Sequence, residues 1–596
     1  MRRLVFTDSY SDLKAKLFSL GGDWDESQPN KKVLRLNDGI MNWYESTGTI
    51  QFQGKAEGMS FLEMNVQSLL YPEEFPAVVV NNPAPPQEKI DENSGLDTDS
   101  THNISHQYLT GNFSESELII GIVSAVGTET TRVITPLKDR LQGFGYKVIE
   151  IKVSSILSGT ATSNEYERIK HLMTQGDTLR KDTGNNAILA YGAAKLVNEK
   201  RAEHTSDSKR AYIINSLKHP DEVDVLRKIY GHGFYLFGIH ADKKRRLHYL
   251  TSDKGLSATQ AAEVTDIDED ENIPHGQRTR DTYHLSDFFI NFGKNDDYVK
   301  NTIQRFLELI FSHPYRNPTF DEFAMFMAFS SSVRSGDLSR QVGAVIARNQ
   351  QILATGANEC PSSGGGLYWA EVDGDSGNVV DKEGGKDFTR NEDSNKAEQT
   401  NIMQNIISNI KGIEGIGDAT LDQIRVVLER SRIRDLTEFG RVVHAEMEAL
   451  LSCSREGISC HDSTLYCTTF PCHNCAKHII AAGVKRVVYV EPYPKSKALE
   501  FHSDSIELRT QLEEAVENGQ VSFEPFTGVG ARRFLDLFSM NLGLGNKLIR
   551  KSKDGSTVDW EKNSARLRVS LIPESYIGIE EEAAKVFDDT PVDPPF

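Results

Sequence analysis

Period-two alternation of apolar and polar residues runs through 33–39 and 49–54, flanking the mostly apolar 40–44. Asn37-Asp38-Gly39 and Thr47-Gly48 punctuate it as hairpin turns. With a helical stretch at 13–20 ahead of them, these residues predict a small α+β module over 1–70. Pro83-Ala84-Pro85-Pro86, followed by Asp-, Glu-, Ser- and Asn-rich sequence, marks 71–115 as a linker. The pattern then changes. Short, largely apolar runs at 117–124, 147–151, 211–214, 234–239 and 288–290 are separated by helical stretches such as 133–143. Strands apolar on both faces, alternating with helices, predict an α/β fold with a doubly wound parallel sheet over 116–312.

A third region, 313–543, begins with an amphipathic helix at 321–328 and a hairpin of strands around 342–346 and 352–359. A helix at 444, a strand at 465–468, a second helix after 471 and a strand at 486–490 complete a three-layer α/β/α plan. Between them lies an insertion, 360–440, rich in glycine and charge to about Lys396 and then helical around 399–411 and 419–431. An insertion of that length beside a site serves as a lid or an oligomer contact, so a homo-oligomer is expected. Residues 544–596 read as a mixed, partly disordered tail.

His444-Ala445-Glu446 opens one helix of this region, and Pro471-Cys472-His473-Asn474-Cys475 opens the next. Cys472 and Cys475, three apart, would share one helical face, with Pro471 at or just ahead of the first helical position. Thiols at the positive end of a helix dipole shift toward the thiolate that a metal needs. His444 makes a third ligand and leaves the fourth tetrahedral position of a Zn²⁺ ion for water, which the ion acidifies to a pKa of about 7. A structural knuckle would need four protein ligands, and no second C-x-x-C lies at the usual spacing. The pattern resembles the H-x-E…P-C-x-x-C signature of zinc-dependent nucleobase deaminases. In such a site Glu446 takes a proton from the water and delivers it to the pyrimidine and then to the departing amine. At two residues from His444 it can do so only if the metal sits over the helix end.

The wider frame narrows the resemblance. Arg334-Ser335-Gly336-Asp337-Leu338-Ser339-Arg340-Gln341-Val342-Gly343-Ala344, then Gly356-Ala357-Asn358, His-Ala-Glu and Pro-Cys-x-x-Cys fall in the order of the deoxycytidylate (dCMP) deaminase family. With the sheet of 116–312 and the run from Pro525 to Arg533, the chain resembles bacterial anti-phage dCTP deaminases over about 115–540. That resemblance implies conversion of dCTP and dCMP to dUTP and dUMP, depleting a nucleotide that a replicating phage needs. It implies Zn²⁺ on His444, Cys472 and Cys475, Glu446 as the catalytic group, Asn358 on the nucleoside, and Arg334, Arg340 and Lys495 on phosphates.

In 116–312 the first strand runs into Ala125-Val126-Gly127-Thr128-Glu129-Thr130-Thr131 and then a helix, where N–H groups can cradle phosphate. This resembles P-loop nucleoside and nucleotide kinases and makes Gly121, Ser124, Gly127, Thr128 and Thr130 candidates for holding a regulatory nucleotide. No lysine follows Gly127, and the strand at 211–214 runs into Asn215 rather than an acidic Mg²⁺ ligand. The region therefore reads as a kinase-derived domain that binds without transferring phosphate. Residues 50–55 faintly resemble the TATA-binding-protein-like module of type III ribonuclease H, which implies a regulatory nucleic-acid contact near the N-terminus.

Charge bears on the partners. The 67 Lys and Arg against 86 Asp and Glu leave −19, which argues against a broad groove for a nucleic-acid backbone. Mean hydropathy is −0.44, no apolar run approaches membrane-spanning length, and the first eight residues turn polar before a signal sequence could form. Six cysteines, two of them committed to metal, give no disulfide framework, so a cytoplasmic protein is expected. Cys360, Cys453, Cys460 and Cys467 are assigned to the core, and His473 and His478 to helix surface. Two other functions fit the same motifs. A polynucleotide-editing deaminase would need a basic, aromatic-lined channel. A sensor would bind nucleotide or nucleic acid through 1–312 and keep the deaminase fold for assembly. An enzyme that destroys a DNA precursor needs restraint, so the N-terminal regions are expected to regulate it.

Overall fold

The early alternation becomes a five-stranded antiparallel sheet, in the order Leu4–Val5, Thr49–Gly54, Gly39–Tyr44, Lys31–Leu36 and Asp23–Gln28. Leu13 of the helix Tyr10–Lys16 and Leu17 just after it, with Leu62 and Val66 of the helix Ala56–Leu70, pack on Leu34, Met41 and Trp43. The Trp43 Nε1–H donates to the Phe6 carbonyl at 3.1 Å. Strand Asp23–Gln28 carries no strand signal of its own; pairing with Lys31–Leu36 makes it one. The computed structural model describes residues 4–17, 20, 23–28, 30–36, 39–71, 116–157, 164–203, 209–269, 275–292, 295–413, 416–436, 438–491, 496–509, 519–543, 546–571, 577, 580, 584, 585, 587 and 588. The linker expected at 71–115 lies outside them apart from Tyr71. The chain divides into two units, Met1–Leu96 and Asp97–Phe596. Among the described residues no helix is long and apolar enough to cross a membrane.

The second unit holds two six-stranded sheets. The first runs Lys147–Lys152, Arg210–Leu217, Leu118–Ser124, Phe234–His240 and Phe288–Asn291, all parallel. Its two faces feed separate cores, Ile119, Val123 and Tyr212 on one side and Leu118, Ile120 and Ile213 on the other, as double winding requires. A sixth strand, Gly528–Val529, adds antiparallel to Phe288–Asn291. That strand comes from the region drawn as a separate domain after 312. The second sheet runs Gln351–Ala357, Gly343–Arg348, Thr464–Thr469, Arg486–Glu491, Val521–Pro525 and Ile506–Leu508, antiparallel in its first three strands and parallel thereafter.

One core spans the two sheets. Val345, Tyr466 and Val488 of the second pack in the same cluster as Ile119 and Tyr212 of the first, through Ala324, Met325 and Ala328 of the helix Phe320–Ser332. That helix opens with a capping box between Thr319 and Glu322. The Glu322 carboxylate also accepts the Val529 N–H at 2.9 Å, which fixes the added strand. Asp321 binds Arg486 through both oxygens at 2.9 and 2.8 Å.

The described part of the tail packs against the rest of the second unit. Leu548, Leu567, Val569 and Leu571 are buried. The Arg568 guanidinium, 1% exposed, donates to the carbonyls of Asp536, Ser539 and Asn546. Glu580 is fully buried and pairs with Arg201, which also holds Glu117. Buried ionic groups need such partners, and Glu580 finds its own 379 residues away, where a local pattern carries no trace of it.

Candidate active site

Two helices start at one place against the second sheet, Ala445–Arg455 and His473–Ala481. Gly356 makes this geometry possible: a Cβ there would sit 2.1 Å from the Ala445 carbonyl oxygen, so only glycine lets the first helix lie directly on its strand. The segment entering that helix is pinned by reciprocal backbone bonds between Val443 and Glu359 at 3.0 and 3.2 Å. His444 and Cys472 are both N-caps, with φ/ψ of −68°/151° and −67°/165°. The expectation that the two cysteines share a helical face is therefore corrected. Cys472 stands outside the helix that contains Cys475, with its Sγ accepting the Cys475 N–H at 3.4 Å and Pro471 ahead of the cap.

The His444 Nδ1 lies 3.4 Å from the Cys472 Sγ and 3.3 Å from the Cys475 Sγ, and the three ligand atoms fall within 4.8 Å of one another. Tetrahedral zinc with bonds of about 2.3 Å to sulfur and 2.0 Å to nitrogen has N–S edges of roughly 3.6 Å, so the set fits with shifts of a few tenths of an ångström. Among the described residues this is the one group of three such side chains placed to share an ion. The electrostatics agree. Hydrogen bonding from Cys475, and then from His444, holds the Cys472 thiol down to about 3, while the bond to Cys472 raises His444 to about 9. The hydrogen bond to Cys472, reinforced by burial, pushes Cys475 up. A thiolate shared between two protons is a site where a dication can replace them.

His444, Glu446 and Cys472 line a cavity of about 220 Å³. Glu446 is 3% exposed, in the first turn of its helix, and burial raises its carboxyl above the ordinary range. Asn358 also lines the cavity, but its side chain is largely engaged: Oδ1 accepts the Val342 N–H at 2.6 Å and Nδ2 donates to the Arg340 carbonyl at 2.8 Å. It brackets the segment that carries Arg340 to the cavity wall, where Arg340 meets Glu491 at 3.4 Å. Arg334 stands outside this lining, its guanidinium 3.4 Å from the centroid of the Trp369 ring and 3.3 Å from the Tyr368 carbonyl. Lys495 lies outside the described residues.

Sequence reasoning missed several wall residues. His473 was expected on helix surface, yet it lines the cavity, with Nδ1 buried and without a hydrogen-bond partner. The N-cap position of Cys472 turns the next residue toward the ligands, and its place between two ligands was the available signal. Asp387, Asp393 and Asn395 of the insertion form another wall. Cys360, Cys453 and Cys467 are buried as expected, Cys460 only partly, and His478 is exposed.

The loop after Leu118–Ser124 is arranged differently. The Val126 N–H donates to the Asp268 carboxylate at 2.8 Å. Asp268 is fully buried, paired with Lys218 at 2.7 Å and accepting from Thr279 at 3.1 Å, while Lys218 also donates to the Ser124 carbonyl at 2.8 Å. Gly127 has φ +81°, as such a turn needs. Gly121 sits mid-strand against Phe234 and Leu217 rather than in the loop. The Thr128 hydroxyl is buried without a partner, and Thr130 caps the helix Thr131–Gln142 without a side-chain bond.

A profile of the cytidine and deoxycytidylate deaminase zinc-binding region matches residues 318–491. The deoxycytidylate deaminase of Enterobacteria phage T2 is 33% identical over 171 residues, covering 29% of this chain and 79% of the relative. The chain belongs to the deoxycytidylate deaminase family. Its similarity to the phage T4 deoxycytidylate deaminase is 29% over 171 residues, covering 29% of this chain and 77% of the relative. With the Saccharomyces cerevisiae deoxycytidylate deaminase it is 23% over 293 residues, or 47% and 76% of the two chains. A crystal structure of the dCMP deaminase from cyanophage S-TIM5 with dCMP and dUMP aligns at 21% identity, 35% of this chain and 98% of that one, with TM-score 0.20. The protein is thus a deaminase, and zinc is the metal its family binds.

Proposed function

We propose that this deaminase acts on free deoxycytidine nucleotides, dCMP and dCTP, releasing ammonia and leaving dUMP and dUTP. The observation that carries the reading is a three-ligand metal set opening onto a small cavity beside one buried carboxylate. His444, Cys472 and Cys475 would hold the ion, which when bound would supply a Lewis acid and an acidified water at neutral pH. Glu446 accepts the proton of the water that attacks C4, passes it to N3 of the ring, and returns a second proton to the leaving amine. Asn358 positions the nucleoside and holds the 340–342 segment, and Arg340 at the wall meets the phosphate. Lys495 is assigned the same phosphate role. Arg334, stacked on Trp369, supports the wall from outside.

The biological role we infer is depletion of dCTP in the cytoplasm against an infecting phage, restrained by the regions before 313. A regulatory nucleotide at the loop of 124–130 must displace Asp268 from the Val126 N–H, and residues 1–70 are the candidate for a regulatory nucleic acid. Exposed Val372, Val379 and Val380 on the insertion's hairpin support a homo-oligomer contact there. The test is ammonia release by purified, zinc-loaded protein from dCMP, dCTP and a cytosine-containing single-stranded DNA. Turnover of a free nucleotide is expected; turnover of the DNA alone would refute the reading.

A further inference from the structure

The cavity at the metal ligands adjoins another. A second cavity, of about 590 Å³, shares Arg340 and Val342 with the first. Its walls include Phe326 and Phe329 of the helix Phe320–Ser332, Glu491 at a strand end, and Ala531 and Arg532. Ligand pockets commonly measure roughly 300–1,000 Å³, a range that the first cavity reaches only together with the second.

The charges of the two differ. In the first, Arg340 is the only Arg or Lys among the described lining residues, and Asp337, Asp387 and Asp393 share the wall with it. In the second, Arg340 is joined by Arg532, and the only described carboxylate is Glu491. Glu491 pairs with Arg340 at 3.4 Å, and Arg340 is 45% exposed, so water weakens the pair and an incoming anion can displace it.

Arg532 and Arg533 end the Pro-Phe-x-Gly-Val-Gly-x-Arg-Arg run, and they are used in opposite ways. Arg533 is buried and committed to the Phe234 carbonyl, to Asp536 at 3.2 Å and to Asp287 at 3.4 Å. Arg532 is exposed, and its guanidinium has no partner among the described residues. Burial lowers the pKa of Arg227; Asp287 opposes this, and the charges of Arg532 and Arg533 lower it further, so the three guanidinium groups lie near one another. Arg532 also lies beyond 318–491, on a helix that the added strand Gly528–Val529 leads into.

We propose that the second cavity receives the β- and γ-phosphates of a deoxycytidine triphosphate, and that Arg532 distinguishes a triphosphate from a monophosphate substrate. With the base at the metal ligands, the α-phosphate meets Arg340 where the cavities join, and the remaining phosphates extend to Arg532. This rests on the nucleotide reading above and goes further by naming a specificity residue.

Steady-state kinetics of the full-length protein on dCMP and dCTP, for Arg532→Ala and Arg532→Lys, test it. Arg532→Ala is expected to lower kcat/KM for dCTP by about 10- to 100-fold, through KM, and to leave dCMP within twofold. Arg532→Lys should recover part of the loss. Because residue 532 is exposed, an unchanged dCMP rate also reports an intact fold. Equal effects on both substrates, no effect on either, or a wild type that turns over dCMP but not dCTP would overturn the proposal. A wild type inactive on both nucleotides would sink the underlying reading and this one with it, and is told apart by the absence of wild-type turnover itself.

Discussion

Two strand-end sites in this molecule look equally functional in sequence, and they are built on opposite principles. At His444, Cys472 and Cys475, side chains converge and keep their ligand atoms for one another. At the loop after Leu118–Ser124, the Val126 N–H that would receive an anion is met by the chain's own Asp268, which Lys218 pairs in turn, while the buried Thr128 hydroxyl is left without a partner. A site is poised for a ligand when its polar atoms have no better internal partner. A motif whose atoms are already paired must first give up those partners before it can bind.

The largest effect belongs to the first site. Replacing Cys475 by Ser or His444 by Ala should abolish stoichiometric zinc. Turnover should fall by more than the roughly 10- to 100-fold that second-layer substitutions cost. Metal analysis alongside ammonia release checks this, and full activity without zinc would break the comparison. Next is Asp268→Ala, which strands the Lys218 cation and the Val126 N–H. Chemical denaturation should show a loss of about 3–5 kcal/mol with zinc content unchanged. A loss under about 1 kcal/mol would mean that the carboxylate is not the structural counterpart of a bound anion.

A smaller effect is pH dependence at the same sheet end. Burial, reinforced by Arg246 and opposed by Asp242, lowers His240 to about 4. Its folded pKa lies below the unfolded value of 6.5, so the unfolded chain binds the extra proton first and stability falls as pH drops from about 6.5 toward 4. At pH 5 the loss should be on the order of 1–2 kcal/mol, and His240→Gln should remove it from the denaturation profile. The smallest contrast separates two arginines. Arg340→Ala should lower kcat/KM about tenfold, whereas Arg334→Ala, outside the cavity lining, should stay within about threefold.

What was legible follows from the range of each interaction. The parallel strands were readable because strands buried on both faces need long apolar runs, and the ligands because two short motifs each bring their side chains to a helix start. Strand Asp23–Gln28 was hidden because its polar residues are held by a neighbour rather than by propensity. Gly528–Val529 joining the first sheet, Asp268 reaching back 142 residues to Val126, and the insertion's Asp387 and Asn395 in the cavity wall are products of tertiary placement. His473 is the instructive miss, since a helix-surface assignment assumed that Cys472 was inside the helix.

The most direct measurement is zinc content together with ammonia release for the wild type and Glu446→Ala. Zinc should remain at one ion per chain in both proteins while release from deoxycytidine nucleotide disappears in the variant. A variant that keeps its zinc and still releases ammonia at the wild-type rate would contradict the account, because the proton would then travel without that carboxylate.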